Sequence, residues 1–121
     1  MANTTLMKMG PTYLALSTYF GDDVAITIEF YTDDTLTTKE DVSAWDTRMD
    51  VRTHLGDDVG LTRDATNAAT GTVVFSATWA TFNASGNFIP NREHGWDLKR
   101  QDLNRTVFAG PFHVMANRAA T

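Results

Sequence analysis

Val24, Ile26, Ile28 and Phe30 alternate with Ala25, Thr27, Glu29 and Tyr31, a period of two that predicts a half-buried β-strand. Asp33-Asp34-Thr35 follows as a polar turn. A second strand is more sharply two-faced. Trp45, Thr47, Met49, Val51 and Thr53 share one side, and Asp46, Arg48, Asp50 and Arg52 the other. One wet face and one core face is the signature of an antiparallel sheet. Gly56-Asp57-Asp58 interrupts this pattern, and the segment from there to Thr70 is polar and turn-rich. Beyond Gly71, Thr72-Val73-Val74-Phe75 is a short β-branched run, Trp79 to Phe82 fits a strand or a helical turn equally, and Asn83 to Asn91 reads as a loop. His94, Trp96, Leu98 and Arg100 alternate with Glu93, Gly95, Asp97 and Lys99. A hairpin turn is predicted at Asp102-Leu103-Asn104, then a final strand broken at Gly110-Pro111, because proline belongs at a sheet edge or a bulge. Tyr13, Leu14, Leu16, Tyr19 and Phe20, ahead of all these, favour a strand over a helix.

No stretch keeps a 3.6-residue apolar period over a dozen positions, and there is no internal repeat or low-complexity tract. Short strands between turn signals predict an all-β fold: a small antiparallel β-sandwich, immunoglobulin-like, of about six to seven strands. The 121 residues make a single domain, 1–121, with 1–10 and 116–121 small and polar enough to be expected as mobile arms.

Composition narrows the function. Hydrophobic residues at 42% and charged residues at 21% are those of a folded globular chain. Fifteen acidic against ten basic residues give a net charge of −5, and Lys99-Arg100 is the one adjacent basic pair, so nucleic acid is not an expected partner. The absence of cysteine excludes disulfides and thiolate chemistry. No apolar stretch nears the ~18 residues of a membrane span, and Met1 to Thr5 lacks a signal-peptide pattern. No membrane partner is expected, and synthesis is expected in the cytosol.

Candidate chemistry is sparse. Gly21-Asp22-Asp23 and Gly56-Asp57-Asp58 carry adjacent carboxylates of the kind that hold hard cations, yet they read better as turns. His54, His94 and His113 are far apart in sequence and lack the close spacing of zinc ligands. No serine lies in a Gly-x-Ser-x-Gly elbow. Paired acids such as Asp33-Asp34 and Glu40-Asp41 read as solvated loops rather than a glycosidase pair. No catalytic residue, metal ligand or cofactor is therefore assigned, and an enzyme is not expected. The charged face of Asp46, Arg48, Asp50 and Arg52 is either a binding surface or, on the preferred reading, one side of cross-strand ion pairs with Glu93, Asp97 and Lys99. Trp45 and Trp96 fall on core faces, which leaves Trp79 as the candidate exposed aromatic contact.

The order of these features resembles a known family. Gly21 to Phe30 is a Gly-Asp-Asp turn feeding a strand, and Val42 to Arg52 a Val-Ser-Ala-Trp approach into a second. Gly71 to Ala77 reads Gly-Thr-Val-Val-Phe-Ser-Ala, and Trp96 to Val114 holds a Trp-Asp-Leu strand and Thr-Val-Phe-Ala-Gly-Pro-Phe-His-Val. From about Phe20 to Val114 the chain is similar to the immunoglobulin-like domain at the amino terminus of phage baseplate upper proteins and related tail-fibre adaptors. The resemblance implies a bacteriophage virion structural protein, a non-enzymatic assembly or adaptor subunit of the tail, baseplate or fibre attachment. It also implies other virion structural proteins as partners, homo-oligomerisation and location in the virion. Such domains usually precede a long coiled coil or fibre, whereas this sequence stops at Thr121, so a connector, an adaptor or a decorating subunit is expected rather than a direct receptor-binding role. A capsid decoration protein and a carbohydrate-binding module with Trp79 as sugar platform are the alternatives. Thr5, Leu6 and Met7 are the candidate interface residues, since an extended arm can add a strand to a neighbour's open edge.

Overall fold

The computed structural model describes residues 15–32 and 37–116 in full and the backbone course of 3–8. Among these residues lie nine strands: β1 (Asn3–Lys8), β2 (Leu16–Tyr19), β3 (Val24–Glu29), β4 (Thr47–Arg52), β5 (Asp58–Gly60), β6 (Thr62–Asp64), β7 (Thr72–Ala77), β8 (His94–Arg100) and β9 (Arg105–Met115). One short helix, α1 (Trp79–Phe82), follows β7.

The strands form two sheets, ordered β1-β3-β7-β6 and β2-β9-β8-β4-β5. Their inner faces carry the alternating apolar positions of the sequence. Ile26, Ile28, Val73 and Phe75 from the first sheet meet Met49, Val51, Leu98, Phe108 and Phe112 from the second, all 2% exposed or less. Burial at about 25 cal/mol per Å² of apolar surface makes this layer the dominant stabilising term in a domain without disulfides. The strand order is that of an immunoglobulin-type sandwich, with a four-stranded sheet facing one built on the last two long strands. The first strand is divided between the sheets. β1 runs parallel to β3, and β2 parallel to β9.

The all-β sandwich is thus the fold, with nine strands where six to seven were expected and two parallel pairings in place of purely antiparallel ones. The additional strands are short. β5 and β6 have three residues each, too few to show a period of two. They form one continuous stretch that changes sheets at Leu61, whose N–H donates to Met49 O at 3.0 Å while its side chain enters the core. Arg63 fastens this crossing by donating to Thr47 Oγ1 and Trp45 O at 2.9 and 2.8 Å.

The final strand is unbroken through Gly110-Pro111. β2 covers only Phe112–Met115 of β9, so Pro111 stands where that flank of the strand loses its partner and no donor is needed. The ladder irregularity lies instead between Leu98 and Lys99 on β8. Trp79 to Phe82 resolves as helix because Thr78 caps it, its side chain accepting from Thr81 N–H at 3.3 Å. The helix delivers Phe82 onto Phe88, the rings stacked at 4.1 Å, and this pair closes one end of the sandwich against Phe112.

Of the arms expected at 1–10 and 116–121, residues 1–2, 9–10 and 117–121 lie outside the described residues. Residues 3–8 are laid as a strand along β3 of their own sheet, an arrangement in which their backbone groups share the ladder of β3.

Candidate interaction site

The outer face of the five-stranded sheet is assembled from β5, β4, β8 and β9. Register here is dictated from inside. Met49 must face Leu98 and Val51 must face Trp96 for both strands to bury their apolar sides, and the outward residues follow. The result reverses the expected charge pairing. Arg48 stands opposite Lys99 and Asp50 opposite Asp97, like on like, while Arg52 faces Gly95. Directly opposed like charges destabilise a sheet.

The ion pairs form elsewhere. Arg48 Nε meets Asp50 Oδ1 at 3.1 Å along the same strand. Arg52 makes a two-pronged contact with Asp58 on β5, at 2.8 and 3.2 Å. That contact holds the Asp58 carboxyl below the usual carboxylate range. Asp97 has the opposite character. Burial, reinforced by the charge of Asp50, pushes its pKa up against the lowering effects of Lys99 and Arg52, and its Oδ1 is shielded with no hydrogen-bond partner.

His54 and His94, forty residues apart in the chain, meet beside this face with ring centroids 5.3 Å apart. His94 is buried. Its Nδ1 accepts from the His54 backbone N–H at 2.9 Å, so its Nε2 carries the proton and donates to Ile89 O at 3.0 Å. Both nitrogens are thus committed to the neutral ring, and burial lowers the pKa. The Nδ1 of His54 is shielded without a partner. His113 lies on the exposed side of β9, opposite Ser17.

These elements enclose an open groove of about 470 Å³, with Gly95 and Pro111 along it and Asp50, Asp97 and His54 among its walls. Leu55, beside His54 at the tip of the β4–β5 hairpin, is 67% exposed. The hairpin is shaped by Thr53, whose Oγ1 accepts from Leu55 and Asp57 N–H at 3.2 and 3.1 Å.

The other sequence candidates sit apart from this groove. Trp79, expected as an exposed contact, is half-buried, edge-on to Phe20 at 4.9 Å and tilted against Phe82 at 5.7 Å. The helix start turns its ring toward the core, and Asp23 accepts from its backbone N–H at 2.7 Å. Thr5, Leu6 and Met7 lie in β1 at the edge of the opposite sheet, paired in register with Ile26, Thr27 and Ile28. The two Gly-Asp-Asp sites are turns with both glycines at φ +94°. Their acids tie distant segments, Asp23 to the helix start and Asp57 to Asn87 Nδ2 at 2.6 Å. Among the described residues no three His, Asp or Glu side chains converge as metal ligands.

No family model matches the sequence, and neither does any curated protein. The fold has a solved counterpart. The N-terminal domain of phage TP901-1 ORF48 superposes with a TM-score of 0.51 at 12% identity, over 97% of this chain and 98% of that one. At such low identity the shared property is the fold, end to end.

Proposed function

We propose that this chain is a bacteriophage virion structural protein, a non-enzymatic assembly or adaptor subunit of the tail, baseplate or fibre attachment. The observation that carries the reading is the superposition on a phage domain over nearly the full length of both chains. The sequence resemblance to phage baseplate upper proteins, which spans about Phe20 to Val114, points the same way. The described surface supports work by contact: a charged sheet face and an exposed Leu55. Its partners are other virion proteins, and copies of the chain assemble by the cyclic symmetry usual for closed oligomers.

Quantitative mass spectrometry of purified particles tests this reading. A copy number far below that of the major coat protein is expected for a tail, baseplate or fibre component. Parity with the coat protein would make the chain a capsid decoration protein, and its absence from particles would overturn the virion reading.

A further inference from the structure

We propose that His94 is a pH-sensitive latch: its neutral ring ties the tip of the β4–β5 hairpin to the loop ahead of β8, and protonation of the ring releases the tip. The opening is local, distinct from unfolding of the domain, and stands whatever particle the chain belongs to.

The latch is made of hydrogen bonds that only one form of the ring can form. His94 opens β8 and is 2% exposed. A backbone N–H can only donate, so the bond from His54 N–H at 2.9 Å requires a bare Nδ1 on His94. The proton is then on Nε2, which donates to Ile89 O at 3.0 Å. One ring thus joins the hairpin to the loop. The imidazolium carries hydrogen on both nitrogens. Its bond to Ile89 O survives, whereas the bond from His54 becomes two N–H groups facing each other. Protonation therefore acts on the hairpin side alone.

Among the described residues, the surroundings offer the new charge no counter-ion. His54 on the hairpin and His113 on β9 both act against a positive ring. On the hairpin, Asp57 accepts from Asn87 Nδ2 at 2.6 Å, and Asp58 is held by Arg52 at 2.8 Å. The loop presents the Phe88 ring edge-on, with centroids 5.2 Å apart, and then the exposed Arg92 and Glu93. Asp50 on β4 and Asp97 on β8 belong to the outward set, while His94 shares the inward alternation of Trp96 and Leu98. A buried charge without a partner is costly, and relief comes from water that the ring reaches once the hairpin lifts.

The tip can lift as a unit. Thr53 O accepts from Gly56 N–H at 2.9 Å, and Thr53 Oγ1 accepts from Leu55 and Asp57 N–H, so bonds inside the hairpin keep its turn. Leu55 to Asp58 are exposed already, and moving them gives up little apolar burial. A second tie to the loop, between Asp57 and Asn87, is exposed, where water competes with it.

Native-state hydrogen exchange on the full chain, from about pH 7.5 to about pH 4.5 and corrected for intrinsic rates, tests the latch. The His54 amide reports it directly, because its acceptor is the nitrogen that protonation removes. Below about pH 6.5 its protection should fall about tenfold per pH unit, the linkage for one proton taken up on opening. The amides of Val51 and Trp96, inside the ladder of β4 and β8, should stay better protected throughout. The slope should persist in His54→Ala and disappear in His94→Asn, whose side-chain oxygen still accepts a hydrogen bond but takes up no proton. The wild-type profile and His54→Ala decide the matter if His94→Asn does not fold. Protection of the His54 amide that is independent of pH, or that matches Val51 and Trp96 at every pH, would overturn the proposal. So would a slope that survives in His94→Asn or is lost in His54→Ala.

Discussion

His94 and Asp97 sit three residues apart on β8, and burial moves both pKa values away from the ionised form. Their consequences for stability run in opposite directions with pH. The His94 ring is held below its ordinary value of 6.5. As pH falls through that value, the unfolded chain takes up a proton that the folded one refuses, so stability declines and levels off only below the folded pKa. The urea midpoint should therefore drop between about pH 7.5 and about pH 5.5. His94→Asn, although less stable overall, should show a much flatter profile. Asp97 is raised above its ordinary 3.8, so its favourable, protonated state is complete below that pH and is lost as pH rises through the folded value. At neutral pH its ionised carboxylate opposes Asp50 at a net cost. Asp97→Asn is expected to stabilise the fold at pH 7 by roughly 0.5 kcal/mol, the scale of one cross-strand charge pair. The gain should vanish in acid, which denaturation at both pH values would check.

At the scale of elements, turn geometry separates replaceable glycines from fixed ones. Gly71 ends the 3-10 turn Ala68–Thr70 at φ +84° and leads into β7. A Cβ there would come within 2.8 Å of Glu40 O and 2.9 Å of Phe30 O, both rigid backbone atoms. Those carbonyls belong to the junction that links Phe30 N–H to Gly71 O and Glu40 N–H to Phe30 O. Gly56, in the hairpin between β4 and β5, has φ +94° but open space around it. Gly71→Ala should cost well over 2 kcal/mol and threaten folding, whereas Gly56→Ala should cost about 1 kcal/mol from backbone strain alone. Equal losses in chemical denaturation would contradict this account. The same scale explains the groove. A hairpin tip brings His54 to His94, and the ladder between β4 and β8 brings Asp50 to Asp97.

The whole molecule distributes its exposed edges unevenly. β1 covers one side of β3, and β2 covers only the end of β9. Deleting residues 1–8 would leave the backbone of β3 unpaired along an entire edge, and an open edge recruits another chain. Concentration-dependent self-association is the expected outcome by light scattering. A variant that stays monomeric would show that β1 does not protect this edge. If the strand is supplied in trans during assembly, adding a peptide of the deleted sequence should restore the solubility of the truncated chain.

The sequence by itself determined the class of the fold and most of its core. Val24, Ile26, Ile28, Met49, Val51, Trp96 and Leu98 are legible as inward positions because side chains in a strand alternate strictly, and all are buried. It also marked the Gly-Asp-Asp sites as turns, because glycine is the residue that reaches positive φ without strain. Strands of three residues left no period to read, and the helix at Trp79 became visible only with its cap and the packing of Phe82. Pairing was decided in three dimensions. The apolar contacts of Met49 with Leu98 and Val51 with Trp96 fix the register, and the charges outside are carried wherever that register puts them. Which acid faces which, and where two histidines distant in sequence meet, are properties of the ladder rather than of either strand.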